Sequence, residues 1–340
     1  MSVNRLRVSV AMASYNGERF LEEQLSSIAR QTKLPNEMVV TDDGSTDATL
    51  SILESFARNS PFPVRIYKNP VRLGYGDSFI KAASLCEGEL IAFSDQDDVW
   101  VEGRLALCLP FFDDQEVLLS VHSAVVVDEE LRPLGFNWPN ITLTQAIYDQ
   151  SPIKNPFPGF AIIVRKGMPG LLDSPRPPEL SKSRPMPHDT WISILAKSFG
   201  KVAFIKEPLV FYRRHHSTTT TVKDHSTLDL IELSRMPSAE SYRQVADWTS
   251  AIATSLNRVE IHQEDYKHLR HRAVKCYKHK QACLMQRARL YTREQSLIQR
   301  LSTFLQMLRH GYYRSQQRGS LGVQSMLKDA ACIIIPSLRQ

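Results

Sequence analysis

The sequence predicts an α/β protein: a mostly parallel sheet flanked by helices, followed by a basic helical extension. Three observations carry this expectation. Over roughly the first 130 residues, short apolar runs alternate with segments of helical periodicity, the pattern of parallel strands joined by crossover helices. From about Leu228 onward the periodicity is helical, with few strand signals and much Lys, Arg and Gln. The charge is also unevenly divided. Residues 265–340 hold 15 Lys+Arg against 3 Asp+Glu, a net of +12, so the first 264 residues are net −6.

The elements follow in order. Val8–Ala13 is β-branched and apolar, and Ser14-Tyr15-Asn16-Gly17 turns the chain into a helix carrying Leu21, Leu25 and Ile28 on one face. Met38–Val40 is a second strand, ended by Thr41-Asp42-Asp43-Gly44-Ser45. Leu50, Leu53, Phe56 and Ala57 mark the next helix, with Ser45 or Thr46 as its cap. Val64–Tyr67 is a third strand. A helix from about Ser78 to Cys86 leads to a fourth, Leu90–Phe93, which breaks into Ser94-Asp95-Gln96-Asp97-Asp98. Further strands are expected at Leu118–Val127, Phe160–Val164, Val202–Ile205 and Leu209–Tyr212. A turn falls at Asp128–Pro133, proline-rich loops occupy the stretch from Pro175 to Pro185, and a helix opens at His188-Asp189. Arg213-Arg214-His215-His216 and a Ser/Thr run to Thr221 form the loop where a domain boundary is drawn, with residues 1–221 as catalytic domain and 222–340 as helical basic region.

Ligands of such sheets bind beyond the carboxyl ends of the strands. The polar clusters after strands one, two and four therefore converge on one edge. Asp95, Asp97 and Asp98 repel one another there, and a hard divalent cation, Mg2+ or Mn2+, would relieve that repulsion while leaving room for diphosphate oxygens. Turn chemistry is the competing reading for this cluster, as for Asp42-Asp43. Asp189 suits either a helix cap or a general base kept ionised by the helix N-terminus. Arg213, Arg214 and His215 suit either a solvated loop or contacts to an anionic diphosphate.

Several enzyme classes drop out. No G-x-G-x-x-G follows the first strand, no G-x-x-x-x-G-K-[ST] occurs, and no G-x-S-x-G elbow is present. Five scattered cysteines without a C-x-x-C pair fit a reducing compartment. With no signal-like N-terminus and no apolar run of spanning length, the expected location is cytoplasmic, peripheral on the inner face of the plasma membrane where the basic tail engages it.

The stretches Val8 to Gly17, Thr41 to Asp47, Phe93 to Trp100, His188 to Trp191 and Tyr212 to His215 together resemble the inverting glycosyltransferase family 2, of GT-A fold. The resemblance ends near Thr221. It implies that Tyr15 packs on a nucleotide base, with Asn16 in the same donor loop. Asp43, beside Asp42, hydrogen-bonds that base. Asp95 or Asp97 holds the ribose or sugar side, Asp98 with Asp97 ligates the metal, and Asp189 is the catalytic base. His215, with Arg213 and Arg214, meets the diphosphate or metal. His188 departs from the acidic residue many relatives carry before the base. The Q-x-x-R-W motif of processive synthases is absent, which implies single additions.

The spelling Ser94-Asp95-Gln96-Asp97-Asp98-Val99-Trp100 is similar to the rhamnosyltransferase-like branch that builds bacterial surface polysaccharides such as O-antigen. The resemblance thus implies a metal-dependent transferase that uses dTDP-rhamnose or a UDP-hexose as donor and a glycan or lipid-linked acceptor. A nucleotidyltransferase is the enzymatic rival, but it would be expected to carry a Gly-rich phosphate loop where this chain has Ser14-Tyr15-Asn16-Gly17. A nucleic-acid-binding protein is the other rival. It leaves the acidic clusters unexplained, so no nucleic-acid partner is expected. The tail is expected to meet an anionic membrane. Its basic helix, Lys267 to Arg293, carries Leu269, Ala273, Val274, Cys276, Tyr277, Leu284 and Met285 between the cations. A second stripe of Leu297, Ile298, Leu301, Phe304, Leu305 and Leu308 either packs inward or faces the lipid.

Overall fold

The computed structural model describes residues 6–149, 157–180, 184–216, 238–292, 294–314 and 320–334. The chain divides into two compact units: Met1–Tyr148 with Asn155–Leu172 and Pro187–Val222, and Asp149–Lys154 with Asp173–Met186 and Lys223–Gln340. The expected 221/222 boundary, Leu228 and Arg293 lie outside the described residues.

The first unit is built on a ten-stranded sheet. Its opening elements are β1 (Val8–Ser14), α1 (Leu21–Ala29), β2 (Glu37–Asp42), α2 (Thr49–Asn59), β3 (Val64–Lys68), α3 (Tyr75–Leu85) and β4 (Leu90–Ser94). The strands stand in the order β3-β2-β1-β4, all parallel. β2 and β4 are buried at every residue, as strands covered on both faces must be, whereas β3 is only half-buried at the sheet edge. Because the chain runs outward from β1 to β3 and then returns to the other side of β1, the order switches at β1/β4, where doubly wound sheets open a crevice.

The far half of the sheet is mixed. It comprises β5 (Val99–Trp100), β6 (Val117–Val127), β7 (Pro133–Asn137), β8 (Gln145–Ile147), β9 (Ile162–Arg165) and β10 (Lys201–Arg213), with α4 (Arg104–Cys108) and α5 (His188–Phe199) between them. The path continues β4-β9-β6-β10-β5. β9 is antiparallel to both its neighbours, and β10 is parallel to β6. The two strands expected at Val202–Ile205 and Leu209–Tyr212 are one. Pro208 lacks an N–H and sits between two register shifts, so β10 absorbs it as an irregularity and continues. α5 buries Trp191, Leu195 and Phe199, the face that its spacing predicts.

The second unit is helical: α6 (Ala239–Arg258), α7 (Glu264–Leu290), α8 (Leu297–Arg309) and α9 (Val323–Ile334). Tyr242 of α6, Leu284 and Ala288 of α7, Met307 of α8 and Ile333 of α9 share one core. Inside this unit the Arg287 guanidinium pairs with Asp329 at 2.7 Å. Asp329 also accepts hydrogen bonds from the Tyr291 and Tyr313 hydroxyls, each at 2.9 Å. Burial pushes the Asp329 carboxyl up despite the cation beside it. The apolar residues Ala273, Val274, Tyr277 and Leu284 of the basic helix are buried, Leu269 and Cys276 are half-buried and Met285 is exposed, so most of that stripe serves the protein's own packing. The second stripe is the exposed one, apart from Phe304, which packs against the core.

Candidate active site

The loops leaving β1, β2 and β4 meet. The backbone N–H of Asp43 donates to the Ser14 carbonyl at 2.8 Å, and the Gln96 amide grips both the N–H and the carbonyl of Tyr15, at 2.9 and 3.1 Å. That grip requires Gly17, where an added Cβ would stand 2.4 Å from Gln96 Oε1. Asn16, at positive φ, accepts from Thr46 N–H at 2.9 Å and so ties the first loop to the second.

Asp42 and Asp43 divide the work of ordering these loops. Asp42 accepts from Ser14 Oγ, Gly44 N–H and Ser45 N–H, closing its own turn. Asp43 reaches across to Leu73 N–H at 2.7 Å, Gly74 N–H at 2.8 Å and Asn69 Nδ2 at 2.9 Å. Burial alone would raise the Asp43 pKa, but these donors outweigh it and hold the carboxyl below its ordinary value. The segment that Asp43 pins carries Arg72, whose guanidinium lies 3.9 Å from the Tyr15 ring centroid.

The third loop carries the acidic cluster. Asp95, Asp97 and Asp98 each offer an oxygen, all within 4.8 Å of one another. Two residues past Asp97 the chain enters β5, which pairs antiparallel with the end of β10, Val99 opposite Phe211. This short edge strand brings the cluster against Arg213-Arg214-His215. Asp98 Oδ1 accepts from Arg213 N–H at 3.0 Å, and Asp97 Oδ2 lies 2.7 Å from His215 Nε2. The Arg213 side chain is buried, donating to the Asp97 and Glu129 carbonyls and paired with Glu23, so it braces the acidic turn. Arg214 donates to the Tyr212 hydroxyl at 3.1 Å.

The cluster is short of positive charge. Burial, then Asp97 and Asp189, push the Asp95 carboxyl up to about 8, and burial, then Asp97 and Asp95, push Asp98 well above its usual range. The opposing cation is Arg104, buried and stacked 3.7 Å from the Trp100 ring centroid. Asp98 Oδ2 is buried with no hydrogen-bond partner among the described residues. An orphaned carboxylate oxygen beside two more carboxylates is a donor set that fits a hard divalent cation.

Asp189 sits in the first turn of α5. Its carboxylate accepts from Thr190 N–H at 2.7 Å and from the Gly159 backbone. Burial outweighs these donors and the helix terminus, so its pKa is raised, opposite in direction to what the helix N-terminus alone predicts. His188 stacks on Phe79 with ring centroids 4.3 Å apart, and Gly159 leaves room for it, since a Cβ there would lie 2.9 Å from His188 Nε2. Phe160 follows Gly159 and stacks on Tyr212 at 4.4 Å. Half-exposed Trp138 contacts both rings. An aromatic wall thus connects the start of α5 with the end of β10.

The structure therefore gathers Asp95, Asp97, Asp98 and His215 into one cluster, with the Asp95 and Asp189 charges close enough to couple. Tyr15, Asn16, Asp42 and Asp43 form the neighbouring loops. Sequence reasoning passed over Gln96, Arg104, Arg72 and Trp138. Only Gln96 had a signal, its place inside the acidic motif. The others are apolar-patterned or isolated positions that become meaningful through tertiary contacts.

Residues 9–168 match the family described as Glycosyl transferase family 2. A Haemophilus influenzae protein named as an uncharacterized glycosyltransferase is 25% identical over 268 residues, 76% of this chain and 81% of that protein. The dTDP-rhamnosyl transferase RfbG of Shigella flexneri is 40% identical over 98 residues, 28% of this chain and 34% of RfbG. S. aureus TarS in complex with UDP-GlcNAc has a similar fold. The TM-score is 0.51 at 19% identity, over 91% of this chain and 93% of that one.

Proposed function

We propose, for a chain whose residues 9–168 match glycosyl transferase family 2, that it moves one sugar from a nucleotide-sugar donor to an acceptor hydroxyl with inversion. The observation that carries this reading is the meeting of the Asp95-Asp97-Asp98 cluster with a buried carboxylate, Asp189, of raised pKa. Asp189 takes the proton of the acceptor hydroxyl. The freed oxygen bonds to the anomeric carbon, and the bond from that carbon to the diphosphate breaks with its electron pair leaving on the nucleotide. A base whose pKa lies nearer neutrality than a free aspartate has more driving force for that proton. Asp98 and Asp97 would hold Mg2+ or Mn2+, which when bound neutralises charge on the diphosphate oxygens. His215 orients the Asp97 carboxylate from the β10 side, and Tyr15 and Asp43 order the loops that receive the base.

The donor reading is dTDP-rhamnose or a UDP-hexose. The name of the Shigella relative favours the first, and the UDP-GlcNAc bound by TarS belongs to the second class. The acceptor is a glycan or lipid-linked glycan of a bacterial surface polysaccharide such as O-antigen, and the location is the cytoplasmic face of the plasma membrane. No helix among the described residues is long and apolar enough to cross a membrane, so this reading has the protein working as a peripheral one.

The test is release of nucleoside diphosphate from a panel of dTDP- and UDP-sugars with Mg2+ or Mn2+ present. One donor should be turned over, and Asp98→Asn should abolish that turnover with the fold retained. Undiminished turnover in chelator or in Asp98→Asn removes the metal-dependent reading. Failure with every donor removes the transferase reading as a whole.

A further inference from the structure

Among the described residues, a row of strongly exposed apolar side chains lies on α8, in the helical unit. The helix is firmly seated from its other side. Its N-terminus has a reciprocal Ser296/Gln299 capping box, buried Arg300 donates to the carbonyls of Leu290, Thr292 and Gln295, and Met307 is fully buried. Leu297, Ile298, Leu301, Leu305 and Leu308 nonetheless face outward, from 40% exposed at Leu308 to 80% at Ile298. At 100° per residue these five fall within an arc of about 100° along about 18 Å of helix. A contiguous apolar row on a helix already anchored elsewhere is an unmet interface rather than scattered surface leucines. One turn of α9 adds Val323 and Leu327, 62% and 63% exposed.

The surrounding charge identifies the partner. α8 contains no acidic residue, and exposed Arg309 sits at the edge of its apolar arc. Arg289 before the helix and Arg314 after it are exposed as well. Of the 3 acidic residues from 265 to 340, Asp329 is buried against Arg287, leaving Asp265 and Glu294 at the surface. An apolar arc with Arg309 at its edge, on a helix flanked in sequence by exposed Arg289 and Arg314, matches a bilayer interface, where the leucines enter the acyl boundary and the cations stay among anionic headgroups.

We infer that α8 is the element through which this protein lies on an anionic membrane, its apolar arc inserted parallel to the bilayer plane. This extends the peripheral location put forward above and assigns it to α8 rather than to the longer basic helix α7, most of whose apolar side is consumed in the core. The test is flotation of the full chain with vesicles of equal parts phosphatidylglycerol and phosphatidylcholine, and with phosphatidylcholine alone. The wild type floats with the anionic vesicles and less as salt rises. Ile298→Gln combined with Leu305→Gln lowers partitioning at least about tenfold, since both side chains are exposed and apolar insertion supplies the binding. Arg309→Gln with Arg314→Gln weakens flotation on anionic vesicles alone. A wild type that stays behind with anionic vesicles overturns the inference, and so does an Ile298/Leu305 variant that floats as well as the parent. A wild-type dimer that the same variant converts to monomer, with flotation unchanged, makes α8 a contact between copies and also overturns it. Donor turnover is measured on the same samples. Lost flotation with intact turnover concerns α8 alone, and absent turnover with normal flotation concerns the transferase reading alone.

Discussion

Asp189→Asn separates the chemistry of α5 from its architecture. The amide keeps the shape of the carboxylate, and one oxygen remains to accept from Thr190 N–H, now 2.7 Å away. Asn also serves helix N-termini about as well as Asp. The lost charge at the helix end costs about 0.3–1 kcal/mol. Relief of the burial that raises the Asp189 pKa works in the other direction. The net change in stability is therefore within about 1 kcal/mol, a shift of a few degrees in melting. Turnover behaves differently, because the amide cannot take the acceptor proton. Loss of a general base costs about 10²–10⁴ in rate, or roughly 2.7–5.4 kcal/mol of barrier. Steady-state kinetics of nucleotide release with saturating acceptor should show that loss in kcat, with the donor KM little changed. The parent's kcat should fall as pH drops through a value above the ordinary aspartate range, since the base acts deprotonated and its pKa is raised. Asp95 faces Asp189 and is displaced in the same direction, so the variant is needed to assign that limb. A variant with normal kcat, or one keeping the parent's acid limb at full rate, would make Asp189 a first-turn carboxylate that only ties down Thr190 N–H.

Two further expectations follow from neighbouring features. Trp138→Ala removes the half-exposed ring of the aromatic wall beside Asp189 and should raise the acceptor KM several-fold while leaving acceptor-independent donor hydrolysis intact. An unchanged acceptor KM argues that the wall only packs. Asp329→Asn leaves the buried Arg287 charge unpaired, which costs about 3–5 kcal/mol, so thermal unfolding should begin roughly 6–20 °C lower by the usual scaling for a unit of this size. A shift below a degree would mean that the Tyr291 and Tyr313 hydroxyls alone hold that core together.

The parallel half of the sheet was readable because each strand is an apolar run ended by polar turn residues, with helical spacing between. β1, β2 and β4 stop where the polarity changes, and that change is what marks the site. The mixed half was harder. β5 has two residues and β8 three, too short for any periodicity, and β7 is exposed along most of its length, so no alternation marks its pairing with β6. β10 read as two strands because Pro208 looks like a break when neighbours are unknown. The acidic cluster was visible as composition, but its contact with His215 depends on β5 pairing with β10. Arg213 shows the limit most clearly. A basic loop reads as a phosphate contact, whereas the fold surrounds this arginine with Glu23 and two carbonyls. In the tail, periodicity found both apolar stripes. Which one was buried depended on the partners each met, and no local pattern encodes that.

The helical unit is not a cassette appended to the end of the chain. It includes Asp173–Met186, which lies between two stretches of the first unit, and the chain passes between the two units five times. Within it, the indole N–H of Trp248 donates to the Pro178 carbonyl at 3.1 Å, so a residue of α6 holds a loop that precedes α5 in sequence. Cutting the chain ahead of α6 would strip that loop of the Trp248 hydrogen bond while leaving it attached to α5. Swapping the tail between relatives has the same effect unless 173–186 travels with it.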